Sequence, residues 1–417
     1  MYPKTSTSIR LRQAMLAIAW ATIGSVIHAQ SVTPPASLKD VFDAAWGQQP
    51  ESQALSARRG AAQAQQRAAG AWTPEPLALE INNKTDRFTR NNGARELEVG
   101  IAIPLWLPGE RRNVGSLADA EAAAIESRVS AARLRLAATV REAWWNWERT
   151  RIDTDIARAQ LDNARRIATD VARRTRAGDL ARADQHQADG AVAAAEAAVA
   201  QAEAEATAAL QQLRALTGGV ALATPTGAAS AEPEPMSADV PEHPALGELQ
   251  DRAAVAERTA ALAATRSRSN PELTLSTTRE RGGFGERYDP SIAVGIRIPF
   301  GGGPRHDSRV AAARADAVEA EAQLALERAR LRSEGEAVIA RVHAARAQLA
   351  AAERRATLAR ETRDFFDKSF RLGESDLPTR LRIESESVEA ERQAARSRIE
   401  LAAAISAWRQ ALGLLPL

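Results

Sequence analysis

The side chains that most often carry enzyme chemistry are scarce in this sequence. It has no cysteine, and no HExxH pair occurs. The histidines are His28, His186, His243, His306 and His343. The segment GGGPRH at 301–306 lacks the Gly-Lys-Ser/Thr of a phosphate-binding loop, and we expect it to bend the chain between a strand and a helix. No serine or acid pair stands in a recognisable catalytic frame. The sequence therefore predicts no enzyme activity and no metal or cofactor.

The most distinctive polar residues lie in two short turns, RRTRAGDLARAD and KSFRLGESDLPTR, that interrupt long helical stretches. Each turn carries an arginine, a glycine and a carboxylate, namely Arg176, Gly178 and Asp179 in the first and Arg371, Gly373 and Glu374 in the second. Glycine suits the left-handed position that ends a helix. Asp376 and Pro378 suit the start of the next helix. The turns therefore predict two helical hairpins.

Two similar segments, ELEVGIAIPL at 96–105 and SIAVGIRIPF at 291–300, are apolar on alternate residues. A period of two is typical of β-strands with one apolar and one polar face. The side chains predicted to share the apolar face are Leu97, Val99, Ile101, Ile103, Ile292, Val294, Ile296 and Ile298. Partner strands with the same alternation are expected near 76–83 and 273–279, so that each segment belongs to a β-hairpin.

The strands are part of an internal repeat. Gly100 matches Gly295 and Gly178 matches Gly373, with a separation of 195 residues in both cases. Each copy reads as helix, two strands, very long helix, turn and helix. The predicted first repeat is 30–218, with a hairpin at 76–104 and long helices at 115–216; the second is 243–417, with a hairpin at 271–300 and long helices at 305–413. The segment 219–242, rich in proline, alanine and acidic residues, is expected to be a linker.

Helix is expected to dominate the chain. The hydrophobic fraction is 45%, but much of it is alanine and only 4% of residues are aromatic. This composition favours long helices packed side by side over a thick globular core. A helix from Gly115 to Thr175 would be about 90 Å long at 1.5 Å per residue. The predicted fold class is therefore mainly α, with four strands per chain.

Residues 1–29 are predicted to be a signal peptide. Lys4, Arg10 and Arg12 precede an apolar run at 14–27, and Ala29 stands at a plausible cleavage point. Removing these three charges changes the formal net charge from +2 to −1. The remaining charges are interspersed in sign, so nucleic-acid binding is not expected. Because the sequence has no cysteine, we expect no lipidated N-terminal cysteine.

The strand pattern predicts a membrane β-barrel. Apolar-out, polar-in strands of about ten residues are typical of barrels with a wet interior. A soluble sheet on a core is the alternative, but no other apolar element is large enough to cover the face. Known barrels begin at about eight strands, and an open strand edge is forbidden in lipid. Several chains are therefore expected to share one barrel.

Together, the signal peptide, the duplicated plan, the segments GIAIPL and GIRIPFGGG, and the RAGD and RLGE turns resemble the TolC-type outer membrane efflux proteins, also called outer membrane factors. The resemblance covers essentially the whole chain after the signal peptide. It implies a homotrimer whose twelve strands form a barrel in the outer membrane of a Gram-negative bacterium. A periplasmic α-helical barrel would continue this channel. The eight apolar strand side chains would then face outer membrane lipid.

The resemblance also implies partners. The six residues of the two helical turns would form the periplasmic tip and contact an adaptor (membrane fusion) protein, which joins the duct to an inner-membrane pump. Asp184 matches a position at which some relatives narrow the tip, whereas Thr379 occupies the equivalent position in the second repeat. The hairpin end EVGIAIPLWLPGER looks closer to the heavy-metal cation efflux branch than to the DLFGR-type multidrug branch. A pump of the resistance–nodulation–division (RND) type is expected.

We therefore expect a passive exit duct of a tripartite efflux pump, with divalent metal cations as cargo. Two alternatives stay open. The same channel could serve multidrug export or type I protein secretion. A soluble periplasmic coiled-coil scaffold would share the helical pattern without forming a channel.

Overall fold

The computed structural model describes residues 37–219, 231–236, 243–301 and 303–417. The predicted signal peptide and most of the predicted linker lie outside these residues. The elements of the described chain are α1 (Leu38–Gln48), α2 (Pro50–Ala69), β1 (Ala78–Thr85), β2 (Arg95–Pro104), α3 (Glu110–Ala177), α4 (Arg182–Leu216), α5 (Pro244–Thr265), β3 (Glu272–Arg281), β4 (Asp289–Arg297), α6 (Gly303–Leu372) and α7 (Leu377–Ala411).

The two halves of the chain have matching elements. α2, β1, β2, α3 and α4 correspond in order to α5, β3, β4, α6 and α7. The single helix expected at the start of the first repeat is divided into α1 and α2. Gln49 has extended backbone angles, and Pro50 lacks the N–H that would continue α1. Ser37 and Asp40 form a capping box at the start of α1.

The long helices pack in pairs, α3 with α4 and α6 with α7. α3 has 68 residues and α6 has 70, so each is about 100 Å long at 1.5 Å per residue. Along α4 the buried residues include Ala188, Ala195, Ala202 and Ala209, which recur every seven residues. A seven-residue repeat favours left-handed supercoiling, and the small side chains let the helices approach closely. The predicted fold class, mainly helical with a four-stranded sheet, is confirmed.

The largest core cluster contains the tryptophans of α3. Trp144, Trp145 and Trp147 are buried against α1, α4 and α7. The rings of Trp144 and Trp147 meet edge to face, with centroids 5.3 Å apart. Trp145 Nε1 donates a hydrogen bond of 2.9 Å to Ser406 Oγ of α7. The cluster therefore packs the first repeat against the last helix of the second.

The four strands form one antiparallel sheet in the order β1-β2-β3-β4, so β2 and β3 join the two repeats. Glu110, the first residue of α3, fixes this sheet to the helices. Its buried carboxylate accepts hydrogen bonds from Arg266 Nε at 2.7 Å and from Asn270 Nδ2 at 2.6 Å. Both donors belong to the connection between α5 and β3. Among the described helices, none is both long enough and apolar enough to cross a membrane.

Candidate functional site

One face of the sheet is apolar across all four strands. The register places Leu79, Ile101, Leu275 and Val294 side by side in one row. The adjacent rows contribute Ile81, Val99, Ile292, Ile103, Leu273 and Ile296 to the same face. Leu79 is 67% exposed and Val294 is 71% exposed. An exposed apolar face of this extent marks a surface for contact with lipid or another protein surface.

The structure brings together seven of the eight side chains predicted to share the apolar face. They are Leu97, Val99, Ile101, Ile103, Ile292, Val294 and Ile296. β4 ends at Arg297, whose register partner Glu272 is the first residue of β3. Ile298 therefore lies one residue beyond the last strand pair, where β3 offers no further partner.

The opposite face of the sheet is polar and predominantly acidic. Its charged side chains are Glu80, Lys84, Glu96, Glu98, Glu272, Glu280, Asp289 and Arg297. Lys84 pairs with Glu96 at 3.3 Å, and Arg297 pairs with Glu272 at 3.0 Å. The other four carboxylates form no ion pair with the described residues. This face therefore carries an excess of negative charge.

On β2 the polar face is more buried than the apolar face. On β2 the polar-face residues Gly100 and Ala102 are buried, whereas the apolar-face residues Val99 and Ile101 are exposed. This is the reverse of a soluble sheet, in which the apolar side is covered. The acidic face can attract cations, and the exposed apolar face can contact lipid.

The two helical turns have the same backbone geometry. Gly178 and Gly373 have φ angles of +91° and +79°, in the left-handed region that favours glycine. The Asp179 N–H donates to the Arg174 carbonyl, and the Glu374 N–H donates to the Ser369 carbonyl, both at 2.9 Å. These bonds satisfy carbonyl groups that the end of a helix leaves free. The predicted tip residues Arg176, Gly178, Asp179, Arg371, Gly373 and Glu374 are all exposed.

The helices that follow the turns start with complementary caps. At the start of α4, Asp184 accepts a hydrogen bond of 3.0 Å from the Ala181 N–H. At the start of α7, the roles are reversed, because Asp376 accepts a hydrogen bond of 3.0 Å from the Thr379 N–H. The Asp184 carboxylate, predicted as a possible constriction, is therefore engaged in capping its own helix.

The two turns are held together by a cluster around Phe370. Arg174 and Arg380 place their guanidinium carbons 5.0 and 4.8 Å from the centre of the Phe370 ring. Arg380 also pairs with Asp367 at 2.5 Å. Nearby, burial raises the pKa of Glu384, although Arg363 and Arg380 oppose this shift. The region of the two turns thus combines a packed interior with exposed polar ends.

A buried ion cluster, which sequence reasoning missed, lies beside the tryptophan cluster. Glu232, from the segment predicted to be a linker, accepts hydrogen bonds from Arg141 of α3 and Arg409 of α7. The three residues are 5%, 4% and 6% exposed, respectively. Pro233 also accepts a hydrogen bond of 3.1 Å from Arg409 Nη1. Residues 231–236 therefore pack against both repeats.

Within the described residues, no group of three or more histidine and carboxylate side chains is arranged to hold a metal ion. His243 has a structural role instead. Its Nδ1 accepts a hydrogen bond of 3.3 Å from the Ala245 N–H at the start of α5. Burial lowers the pKa of His243, which favours the neutral ring that can accept this bond.

Comparison with known proteins agrees with this geometry. Residues 41–219 match the model of the outer membrane efflux protein family. The outer membrane protein VceC from Vibrio cholerae has a TM-score of 0.69 and 20% identity over 91% of this chain and 99% of that chain. CusC, whose structures describe transmembrane channel formation, has a TM-score of 0.75 and 16% identity, over 91% of this chain and 92% of that chain. The Campylobacter jejuni CmeC outer membrane channel has a TM-score of 0.69 and 16% identity, over 90% of this chain and 85% of that chain.

A search of curated proteins finds no match to the sequence. The family model nevertheless covers the first repeat, and the second repeat has the same elements in the same order. The first repeat is similar to the outer membrane efflux protein family, and the described chain has the fold of the solved outer membrane channels.

Proposed function

We propose that this chain is the outer-membrane exit duct of a tripartite efflux pump and that its cargo is divalent metal cations. The observation that carries the proposal is the sheet, which has an exposed apolar face and an acidic polar face on the same four strands. In a bilayer such a sheet is stable when the apolar face contacts lipid and every strand edge is paired.

The strand edges support a trimer. β1 and β4 are the edge strands of the described sheet. Pairing β4 of one chain with β1 of the next allows three chains to close one barrel, in which no unpaired edge faces lipid. The seven aligned apolar side chains and Ile298 would face the outer membrane, and the acidic face would line the pore.

The acidic face supports a cationic cargo. Each chain contributes six carboxylates and two basic side chains to that face. A channel wall with this charge raises the local concentration of cations. The hairpin sequence EVGIAIPLWLPGER, similar to the heavy-metal branch, favours metal ions within that class. Cationic drugs suit the same wall, so multidrug export is the second candidate.

The exposed helical tip supports a docking role. Arg176, Asp179, Arg371 and Glu374 present both signs of charge at the end of the long helices. We propose that this end meets a periplasmic adaptor protein and, through it, an inner-membrane pump of the RND type. The pump would supply the energy, and the duct would be passive.

Deletion of the gene in its own host tests the cargo. We expect the deletion strain to become sensitive to zinc, cobalt or cadmium more than to hydrophobic antibiotics, and the wild-type chain to restore tolerance. Unchanged metal tolerance with increased accumulation of dyes or drugs would assign the channel to multidrug export. Unchanged tolerance to both, with extraction of the protein in the absence of detergent, would favour the periplasmic scaffold.

A further inference from the structure

A group of arginines lies at the outer end of the sheet, on its apolar face. Arg95 of β2 and Arg281 of β3 are register partners, so their side chains leave the sheet side by side. Arg279 is paired with Leu97 in the next row of the same face. Three cationic side chains therefore lie on the apolar face, between the apolar residues and the loops that connect the strands.

Among the described residues, these arginines have no anionic partner within ion-pair distance. Arg95, Arg279 and Arg281 form no ion pair with the described residues, and the neighbouring carboxylates Glu96 and Glu280 extend from the opposite face. Like charges directly opposite each other on two strands destabilise a sheet. The arrangement is therefore suited to an anion that binds from outside the chain.

The surrounding loops hold the group in place. The Tyr288 ring centre lies 5.1 Å from the guanidinium carbon of Arg281 and 5.7 Å from that of Arg279. Arg281 Nε donates a hydrogen bond of 3.0 Å to the Gly93 carbonyl. The two loops also contact each other, because the Phe284 N–H donates to the Asn92 carbonyl at 2.9 Å. Two of the arginines are thus positioned before any ligand binds.

The height of the group along the sheet indicates which anion it meets. Arg95 lies eight residues from Ile103 on β2, about 27 Å along the strand at ~3.4 Å per residue. A strand tilt of about 40° reduces this to a height of about 21 Å. The apolar band of outer-membrane barrels is about 25 Å tall. In the proposed barrel, Arg95 and Arg281 therefore lie at the level of the lipid headgroups of the outer leaflet.

We propose that Arg95, Arg279 and Arg281, with Tyr288 beside them, bind the phosphate groups of an outer-leaflet lipid, namely lipid A. The planar guanidinium group binds phosphate through two parallel hydrogen bonds, and basic clusters at a membrane interface bind anionic headgroups. Tyr288 suits the same interface because it has an apolar ring and a polar end. This inference rests on the proposed function, which places the outer end of the sheet in the outer leaflet.

Native mass spectrometry of the detergent-purified protein, titrated with lipid A, tests the site. The test variant is Arg95→Gln with Arg279→Gln, because neither side chain donates a hydrogen bond within the described structure. We expect about tenfold weaker binding of lipid A. Lys84→Gln, at the same height on the opposite face, is the matched control and should bind lipid A like the wild type. Equal binding by the double variant and the wild type would overturn the site.

Two further arms identify the ligand. Lipid A stripped of its phosphates should bind the wild type as weakly as intact lipid A binds the double variant; equally tight binding would exclude phosphate recognition. Inorganic phosphate that displaces lipid A at equimolar concentration would exclude a lipid as the specific ligand. Channel conductance separates the two proposals. If the wild type conducts and the double variant binds lipid A as tightly as the wild type, the site alone is wrong. If the wild type does not conduct, the proposed function is wrong, and the site falls with it.

Discussion

The carboxylate of Glu232 accepts two hydrogen bonds of 2.8 Å from the guanidinium group of Arg141. Arg141 belongs to α3 of the first repeat, whereas Glu232 belongs to the segment between the repeats. Arg409 of α7 donates a third hydrogen bond, of 3.2 Å, to the same carboxylate. One buried side chain of the connecting segment therefore joins a long helix of each repeat.

Replacing Glu232 by alanine should lower the free energy of unfolding by about 3–5 kcal/mol, because two buried guanidinium groups would lose their counter-charge. Denaturant unfolding of the detergent-solubilised protein, followed by circular dichroism, measures this loss. Glu234→Ala is the matched control, since its partner Arg346 is exposed and surface ion pairs contribute little. Equal stability of the two variants would show that the buried cluster does not hold the segment.

Replacing Ile101 and Ile296 by arginine should impair insertion into the outer membrane. Each arginine on the lipid face costs about 2–4 kcal/mol near the middle of the bilayer. Membrane fractionation and seminative electrophoresis report the inserted trimer. Ala293→Arg, in the same sheet but on the polar face, should insert normally. Normal insertion of the double variant would contradict the assignment of the apolar face to lipid.

Replacing Gly178 and Gly373 by valine should reduce efflux while leaving the trimer assembled. No atom lies within 4 Å of the position that a Cβ would occupy at either glycine, so the effect arises from the left-handed backbone and not from a clash. Helical Gly190 and Gly335, which are equally unobstructed, provide alanine controls that should keep full efflux. Wild-type efflux by the valine variant would show that the turn conformation does not matter.

Cysteines introduced at Asp179 and Glu374 should crosslink to the periplasmic adaptor protein. Both residues are exposed in the helical turns, and the sequence has no cysteine that would compete. Immunoblots of crosslinked cells identify the partner. A cysteine at Arg287, in the loop between β3 and β4, is the control and should not reach the adaptor. Crosslinks from the loop alone would reverse the proposed orientation.

The cap at the start of α7 should weaken in acid. Hydrogen bonds from the side chain and backbone N–H of Thr379 hold the pKa of Asp376 below its ordinary value. The stabilisation is therefore present at neutral pH and is lost as the pH falls through that lowered pKa. Hydrogen exchange of the first-turn amides, corrected for intrinsic rates, measures the cap. Asp376→Asn, which keeps an acceptor but does not titrate, should show no such loss; identical pH profiles would contradict the role of the carboxylate.

The sequence predicted the repeat, the two hairpins and the helical turns because their signals are local or periodic. The alternation from Leu97 to Ile103 needs no knowledge of the fold. Glu232 could not be assigned in this way, since its partners Arg141 and Arg409 become neighbours only after both repeats pack together. Its one local signal was an acidic residue beside proline, which is equally typical of a linker.

The arginine group at the end of the sheet could not be predicted either, because it depends on how the strands pair. Arg95 and Arg281 each follow the alternation of their own strand, but only the pairing of β2 with β3 places them side by side. The capping role of Asp184 was likewise hidden. Family resemblance suggested a constriction at this residue, whereas the hydrogen bond from Ala181 became visible once the start of α4 was fixed.

The central claim is that four strands from each chain form an outer-membrane channel with an acidic wall. The most direct test is the reversal potential of the purified trimer in a planar lipid bilayer under a potassium chloride gradient. Our account predicts stable single-channel conductance and a reversal potential close to that of the potassium ion. Conductance that is absent, or that selects for chloride, would contradict it.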